Sequence, residues 1–328
     1  MKALMCHAFG PIDTLRVEEV AAPVPGPGQV LIDVKAAAIN FPDALIVQGL
    51  YQAKPPLPFA PGAELAGVVA ALGEGVQRLK VGDRVIAAVG HGAFAEDCVA
   101  DAAQVMPLLP GMDFELGAAF VLTYGTSLHA LRKIGALQAS ETLLVLGAAG
   151  GVGLAAIEIA KALGARVIAA ASNAEKLALC RKLGADETID YSNEDLRKRV
   201  DALTGGKGAD VVYDPVGGTL AEAALRATAW RGRYLVIGFA SGEIPKLPLN
   251  LALLMERAIL GVFWGAAVRR DPASHLANMQ QLAQWFAEGK VRPVVSERVP
   301  LAGAAAAIER LARRQAMGKI VVLPEAAT

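Results

Sequence analysis

The sequence predicts an α/β protein in which a β-rich first part precedes a doubly wound parallel sheet. The first hundred residues contain alternating apolar runs bounded by turn residues, which is the pattern of half-buried strands. After about residue 118, short apolar strands alternate with helical stretches of about ten residues, as is typical of βαβ units. A chain of 328 residues also exceeds the usual single domain, so we expect two domains.

Proline and glycine mark the boundaries of the strands predicted in the first part. The predicted strands are Val30–Val34 after the cluster Pro23–Gly28, Leu65–Leu72 closed by Gly73 and Gly75, and Arg84–Val89 after the turn Gly82-Asp83. The stretch Leu15–Val20 is short and mixed. Four prolines within Lys54–Pro61 exclude both a helix interior and a central strand there.

In the second part, apolar runs alternate with helical patterns that end at glycine. The predicted elements are strand Thr142–Leu146, helix Leu154–Leu163, strand Arg166–Ala171, helix Ala174–Leu183, strand Val211–Tyr213, helix Leu220–Ala229 and strand Tyr234–Gly238. Gly164 and Gly184 supply the stops of the first two helices. The pattern changes again from Asp271, where it predicts helices His275–Glu288 and Ala304–Arg314 and a last strand, Lys319–Leu323.

Composition and charge exclude several classes of function. Lys plus Arg and Asp plus Glu number 32 each, so nucleic acid and anionic membranes are poor partner predictions. No stretch offers the roughly 18 unbroken apolar residues of a spanning helix, and Met1–Pro11 lacks the features of a secretory signal. Cys6, Cys98 and Cys180 are far apart and odd in number, so we expect a reducing cytoplasm rather than a disulfide framework.

A glycine cluster between a predicted strand and a predicted helix indicates a dinucleotide site. Glycine lets the backbone approach a pyrophosphate, and the helix N-terminus offers free N–H groups and a favourable dipole. Ala148 occupies the first position of the G-x-G-x-x-G pattern, while Gly150 and Gly153 keep the second and third. The predicted cofactor-binding residues of this turn are Ala149, Gly150, Gly151, Val152 and Gly153.

The end of the next strand favours NADPH over NADH. NAD-binding units usually place Asp or Glu about 20 residues on, where it holds the ribose 2′-OH. Here the strand ends in Ala171-Ser172, and Lys176 and Tyr191 follow. Alone, Lys176 would be interpreted as a solvated helix residue and Tyr191 as a turn residue. Together with the missing acid, Ser172, Lys176 and Tyr191 favour a 2′-phosphate.

Four motifs together carry a resemblance to a known family. They are Ala148–Gly153, Pro61–Glu64, Val81–Val85 and Gly318–Val322. In combination they resemble the medium-chain dehydrogenase/reductase superfamily, and within it the zinc-lacking NADPH:quinone oxidoreductase and zeta-crystallin branch. The resemblance implies a GroES-like β-rich catalytic domain over residues 1–122, a Rossmann NADPH-binding domain over 123–266, and a return to the catalytic domain over 267–328.

The resemblance also predicts that no metal is bound. Zinc-containing relatives use a Cys and a Gly-His-Glu motif as ligands, but this chain has Asn40 and Ala63 at those positions. Four-coordinate zinc cannot be built from the ligands that remain. The histidines are interpreted as surface or satisfied core residues; they are His7, His91, His129 and His275.

Site residues other than the glycine turn are implied by the resemblance. It maps Asp43 and the predicted catalytic residues Asn40, Tyr51 and Thr126 to the pocket beside the nicotinamide. Tyr51 is a candidate proton donor or stacking group, although a structural tyrosine is an equal interpretation. Gly238, Phe239 and Phe263 lie in segments expected to contact the carboxamide. Arg314 is expected at the 2′-phosphate, unless it is a solvated helix-end residue.

These residues predict hydride transfer from NADPH to a quinone. Quinones accept electrons readily, so the protein need only position donor and acceptor and exclude water. Two alternatives are reduction of activated C=C bonds, in enones, haloacrylates or enoyl thioesters, and a non-catalytic NADPH-binding role like that of a crystallin. The apolar run Ile259–Trp264 would be a poor exposed edge, so we also expect a homodimer.

Overall fold

A computed structural model describes residues 1–324 and divides the chain into two compact units. The first unit comprises Met1–Leu122 together with the described residues from Pro293 onward, and the second comprises Thr123–Arg292. The sequence predicts a return to the first domain at residue 267, but residues 267–292 belong to the second unit. The prediction is too early because two helices after the last strand of the second unit also pack within that unit.

The first unit begins with most of its strands. Its elements up to residue 122 are β1 (Lys2–Met5), β2 (Arg16–Glu19), β3 (Gln29–Ala38), α1 (Phe41–Val47), β4 (Glu64–Leu72), β5 (Arg84–Ala88), β6 (Asp97–Asp101), β7 (Val105–Pro107) and α2 (Phe114–Ala118). The predicted strands correspond to β3, β4 and β5. No regular element occupies residues 54–61.

Helix α1 was missed by the sequence analysis, which predicts only strands and turns in this region. The local sequence nevertheless favours a helix start. Pro42 lies in the first turn, where its missing N–H costs no hydrogen bond. Asn40 and Asp43 form a capping box in which each side chain accepts the other residue's N–H.

The second unit contains a six-stranded parallel sheet. Its elements are α3 (Val121–Leu128, which begins in the first unit), β8 (Thr142–Val145), α4 (Gly151–Ala162), β9 (Arg166–Ala171), α5 (Ala174–Lys182), β10 (Glu187–Asp190), α6 (Leu196–Thr204), β11 (Ala209–Asp214), α7 (Leu220–Arg226), β12 (Thr228–Val236), α8 (Asn250–Leu253), β13 (Ala258–Gly261), α9 (Trp264–Arg270) and α10 (Pro272–Ala287).

The strand order of this sheet is β10-β9-β8-β11-β12-β13, and every pair is parallel. This is the doubly wound order whose switch point lies between the first and fourth strands, here β8 and β11. The carboxyl ends of all six strands therefore lie at one edge, where open α/β sheets bind ligands. We call it the carboxyl edge. The predicted α/β class with a doubly wound parallel sheet is confirmed.

Several predicted boundaries in this unit are wrong, and the predicted strand Tyr234–Gly238 in fact runs from Thr228 to Val236. The predicted helix Leu220–Ala229 ends at Arg226, because β12 already begins at Thr228. The β-prone run Ile259–Trp264 is extended only as far as Gly261, and α9 starts at Trp264. The apolar content of this run does not distinguish a strand from a buried helix start.

The C-terminal segment completes the first unit. It contributes β14 (Val295–Pro300), α11 (Ala304–Ala312) and β15 (Lys319–Leu323). The seven-stranded sheet runs β14-β15-β3-β4-β5-β7, with β6 also paired to β3. β15 pairs antiparallel with β3, and the N–H of Ile39 donates to the carbonyl of Ile320 at 2.9 Å. This pairing brings Lys319, at the start of β15, to the end of β3.

No helix within residues 1–324 combines the length and the apolar character that a membrane span requires. The three cysteines are buried and form no disulfide.

Candidate active site and cofactor site

The glycine turn after β8 is shaped for close backbone approach. Gly147 has a φ of 55°, which favours glycine, and a Cβ there would lie 2.8 Å from Cγ2 of Val216. The sequence motif missed this residue because it precedes the alanine at the first motif position. The tight turn is thus made by Gly147, one residue earlier than the pattern places it.

The turn leads into α4, whose N-terminal amides lie at the carboxyl edge. At Gly153 a Cβ would lie 2.6 Å from the carbonyl oxygen of Ala148, so any side chain would push the helix away from the turn. Gly150 is the N-cap with a φ of −77°, which any residue adopts. Ser127 donates to the carbonyl of Val152 at 3.0 Å and ties α3 to the first turn of α4. Residues 149–153 therefore form a helix N-terminus suited to an anionic pyrophosphate.

Three of the four residues predicted for a 2′-phosphate, Ser172, Lys176 and Tyr191, lie in the second unit. Lys176 lies in the first turn of α5, and its Nζ donates to Oγ of Ser172 at 3.2 Å. Parallel pairing of β10 with β9 brings Tyr191 alongside, and its N–H donates to the carbonyl of Ala171 at 3.2 Å. The end of β9 thus presents a hydroxyl, an ammonium and a tyrosine in place of the acid of NAD-binding units.

The ends of β11 and β12 are held together by a buried carboxylate that the sequence analysis missed. Oδ1 of Asp214 accepts from the N–H groups of Val216 and Gly217 at 2.7 and 2.9 Å, and Tyr234 donates its hydroxyl to Oδ2. Desolvation by burial raises the pKa of Asp214. The N–H of Gly238 donates to the carbonyl of Asp214 at 3.3 Å. Asp214 therefore fixes the loops that carry the predicted carboxamide contacts.

The two phenylalanines predicted near the carboxamide lie at the same carboxyl edge. The ring of Phe239 lies against Gly217, where a Cβ would come within 2.8 Å of Cδ1. Phe263 immediately precedes α9 and is 49% exposed.

The first unit contains a buried polar cluster of Asn40, Glu64 and Lys319. Nζ of Lys319 donates to Oδ1 of Asn40 at 2.5 Å and to Oε1 of Glu64 at 2.8 Å. Nδ2 of Asn40 donates to Oε1 of Glu64 at 2.9 Å and to the carbonyl of Ala38 at 3.1 Å. The N–H of Leu122 donates to Oε2 of Glu64 at 2.9 Å. The amide of Asn40 is therefore committed to partners inside the unit.

Asp43 lies beside this cluster and is 1% exposed. Burial raises the pKa of Asp43 to about 7, against the lowering effects of the Asn40 N–H and the Lys319 ammonium. Oδ2 accepts from the N–H of Asn40 at 2.7 Å, while Oδ1 has no hydrogen-bond partner among residues 1–324. Burial raises the pKa of the half-buried Tyr51, and the negative charge of Asp43 raises it further.

Thr126 occupies α3 of the second unit, next to a close aromatic contact. A Cβ at Gly125 would lie 2.8 Å from Cζ2 and 2.9 Å from Cε2 of Trp264. The indole also meets the ring of His275 edge-on, with 5.7 Å between centroids and 68° between planes. Nδ1 of His275 is buried and has no hydrogen-bond partner among residues 1–324.

The predicted site residues are divided between the two units. Asn40, Tyr51 and Arg314 lie in the first unit, whereas Thr126 and the remaining cofactor residues lie in the second. Arg314 follows α11 with a left-handed φ of 59°. Their roles stay predictions. Within residues 1–324, no group of three or more His, Cys, Asp or Glu side chains is arranged to hold a metal ion.

A doubly wound parallel sheet with a glycine turn at its switch point defines a Rossmann-type nucleotide-binding protein. Comparisons with known proteins narrow this class. Residues 26–111 match the family described as alcohol dehydrogenase GroES-like domain, and residues 151–287 match that described as zinc-binding dehydrogenase. The second description does not bear on the metal, because positions 40 and 63, which correspond to ligands in zinc-containing relatives, lie outside that match.

Relatives that match nearly the whole chain identify the branch of the family more specifically. The chain is 39% identical to quinone oxidoreductase of Pseudomonas aeruginosa, covering 98% of this chain and 99% of that protein. It is 37% identical to a quinone oxidoreductase-like protein 2 homolog of Nematostella vectensis, covering 98% and 88%. The structure of Escherichia coli quinone oxidoreductase complexed with NADPH matches with a TM-score of 0.91 and 32% identity, covering 99% and 100%. The chain belongs to the quinone oxidoreductase branch of the medium-chain dehydrogenase/reductase superfamily.

Proposed function

We propose that this protein is an NADPH-dependent quinone oxidoreductase. The observation that carries the proposal is the assembly at the carboxyl edge of a close-approach glycine turn with Ser172, Lys176 and Tyr191. The relatives named quinone oxidoreductase, and the NADPH complex of one of them, support both the acceptor and the cofactor. When bound, the dinucleotide supplies the hydride that reduces the quinone.

The residues of the second unit fit the parts of NADPH. The amides of residues 151–153 hold the pyrophosphate at the start of α4, where the helix dipole favours negative charge. Lys176 and Ser172 hold the 2′-phosphate through charge-assisted and hydroxyl hydrogen bonds. The loops fixed by Asp214, together with Phe263, offer backbone groups to the carboxamide. Arg314 lies in the first unit, and its role as a second cation for the 2′-phosphate stays a prediction from the family resemblance.

Within the first unit, Tyr51 is the proposed contact to the acceptor, with Asn40 acting indirectly. Tyr51 is half-buried, and we propose that its hydroxyl donates a hydrogen bond to a quinone oxygen. Thr126, half-buried in α3 of the second unit, stays a prediction from the family resemblance. Because the amide of Asn40 is committed to Glu64, Lys319 and Ala38, Asn40 positions the cluster rather than touching the acceptor.

The reaction needs no zinc. A quinone is already an electron-poor acceptor, and polarisation of an alcohol or carbonyl by a Lewis acid is not required for its reduction. The residue types support this proposal, because Asn40 and Ala63 supply neither a thiolate nor an imidazole. The three buried, unpaired cysteines are consistent with a cytoplasmic location.

We further propose a homodimer formed through β13. β13 is the last strand of the six-stranded sheet, so one of its edges has no strand partner there. Several apolar side chains before it are exposed: Ile244 (71%), Leu249 (76%), Leu253 (77%) and Leu254 (65%). A second copy would cover both the strand edge and this apolar surface.

A panel of acceptors tests the proposed reaction. Purified protein is treated with a chelator and assayed for zinc by elemental analysis. It is then mixed with NADPH and a quinone, an enone or an acyl-CoA ester, and in a separate assay with NADP⁺ and a simple alcohol. We expect rapid oxidation of NADPH with quinones and no change on chelation. Preferred turnover of an enone or an enoyl thioester, or activity that requires one zinc per chain, would overturn the proposal.

A further inference from the structure

Trp264 lies at the ligand-binding edge of the second unit in a rigid setting. It follows β13 by three positions, so it lies at the carboxyl edge, as does the glycine turn after β8. The N–H of Val262 still pairs with the carbonyl of Val236 at 3.0 Å, which anchors the backbone just before the indole. Its position is therefore set by the sheet rather than by a free loop.

Position 125 accommodates this indole because it is a glycine and has no side chain. Gly125 has an ordinary helical environment and no left-handed φ, so its backbone conformation does not require glycine. What requires glycine is the indole, because a Cβ would lie 2.8–3.1 Å from three of its ring atoms. Any side chain at position 125 would displace the ring.

The ring orientation is fixed from a second side by His275. The two rings meet edge-on, with 5.7 Å between centroids, and burial lowers the pKa of His275. Trp264 remains partly exposed, and the adjacent Phe263 is 49% exposed. Trp264 is thus an ordered aromatic side chain that is partly accessible at the carboxyl edge.

We infer that Trp264 is a specificity-determining residue that stacks on the ring of the acceptor and favours planar bicyclic quinones over monocyclic ones. The inference rests on the proposed quinone reduction and names its substrate class. Quinones are flat and electron-poor, and stacked aromatic groups gain free energy beyond their buried area. A bicyclic ring covers more of an indole than a monocyclic ring does.

Kinetics of substituted proteins test the inference. Trp264→Leu should raise KM for a naphthoquinone by about 2- to 10-fold, with a smaller rise for a benzoquinone and kcat changed by less than about twofold. Trp264→Phe should recover part of the loss, and Gly125→Ala, which displaces the indole, should resemble Trp264→Leu. Trp230→Phe is the matched control, because Trp230 is 53% exposed near the amino end of β12.

Tryptophan fluorescence supplies a readout that does not depend on turnover. The chain has three tryptophans, and a naphthoquinone added without NADPH should quench emission from Trp264. The quenching should persist in Trp230→Phe and disappear in Trp264→Phe, with circular dichroism confirming that each variant is folded. Failure of the wild type to reduce any quinone would overturn the proposed function itself. Two results would overturn only this inference while the wild type still reduces quinones. One is an unchanged KM for the naphthoquinone and unchanged quenching in both Trp264 variants. The other is a rise in KM for NADPH that equals the rise for the naphthoquinone.

Discussion

Replacing Lys319 with methionine probes the buried polar cluster that joins the two ends of the chain. Nζ of Lys319 bonds Asn40 and Glu64 at 2.5 and 2.8 Å, and the side chains of the ion pair are 5% and 1% exposed. Methionine preserves the apolar stem but removes the ammonium. The carboxylate of Glu64 then keeps only the amide of Asn40 and the N–H of Leu122 as donors.

The expected loss follows from the burial of the charge that remains. Removing one partner of a buried ion pair costs about 3–5 kcal/mol, because the other charge is left uncompensated. We therefore expect Lys319→Met to lower the free energy of unfolding of the first unit by that amount. The double variant Lys319→Met/Glu64→Gln removes both charges. We expect its loss of unfolding free energy to be about 2 kcal/mol smaller than the sum of the losses of the two single variants.

A surface ion pair in the same unit provides the control. Arg298 pairs with Glu115 at 2.6 Å and likewise joins the C-terminal segment to the N-terminal one, but its side chain is 53% exposed. Arg298→Met should cost less than about 1 kcal/mol. Urea unfolding followed by circular dichroism, with amide exchange of β3 and β15 as the local probe, measures both changes. The reasoning is refuted if Lys319→Met costs no more than Arg298→Met.

Four further predictions follow from the site and the fold. Lys176→Ala should weaken NADPH binding about 10- to 100-fold and leave NADH nearly unchanged, because a charge-assisted contact contributes about 1.5–3 kcal/mol; equal losses for both cofactors in a binding titration would contradict the 2′-phosphate role. Gly153→Val should weaken both cofactors alike in the same titration, since any Cβ meets the Ala148 carbonyl, and selective loss of one would argue against a shared pyrophosphate site. Because burial raises the pKa of Asp43 to about 7, the folded protein holds an extra proton there and loses stability as the pH rises from about 4 to 7; Asp43→Asn should flatten this part of the unfolding profile, and an unchanged slope would exclude Asp43 as its source. Light scattering at micromolar concentration should show a dimer, and a monomer alone would refute the role of β13.

The sequence analysis succeeded where local pattern and tertiary environment agree. Strand β15 lies at Lys319–Leu323, as predicted, and its pairing with β14 and β3 agrees with the local pattern of a short apolar run after glycine. The parallel sheet follows from apolar strands alternating with helices that end at glycine. Helix α1 was missed because the first hundred residues were interpreted as strands and turns alone, although Pro42 lies in the first helical turn, where proline is tolerated.

The site was harder to predict because its contacts join distant parts of the chain. Lys319 and Asn40 are separated by 279 positions, and only the pairing of β15 with β3 brings them together. No local pattern indicates that Gly125 contacts the indole of Trp264, which lies 139 residues further along the chain. The role of Asp214 in holding two loops is likewise invisible without the order of the strands.

Transfer of the C4 hydrogen of NADPH to a quinone can be followed in a single turnover under anaerobic conditions. Protein preloaded with NADPH, or with NADPH deuterated at C4 on the transferred face, is mixed rapidly with a naphthoquinone, and nucleotide and hydroquinone are quantified together. We predict that one NADPH is consumed for each hydroquinone formed, and that deuteration slows the step. Absence of hydroquinone, or nucleotide oxidation that proceeds without it, would contradict the assignment of this chain as an NADPH-dependent quinone oxidoreductase.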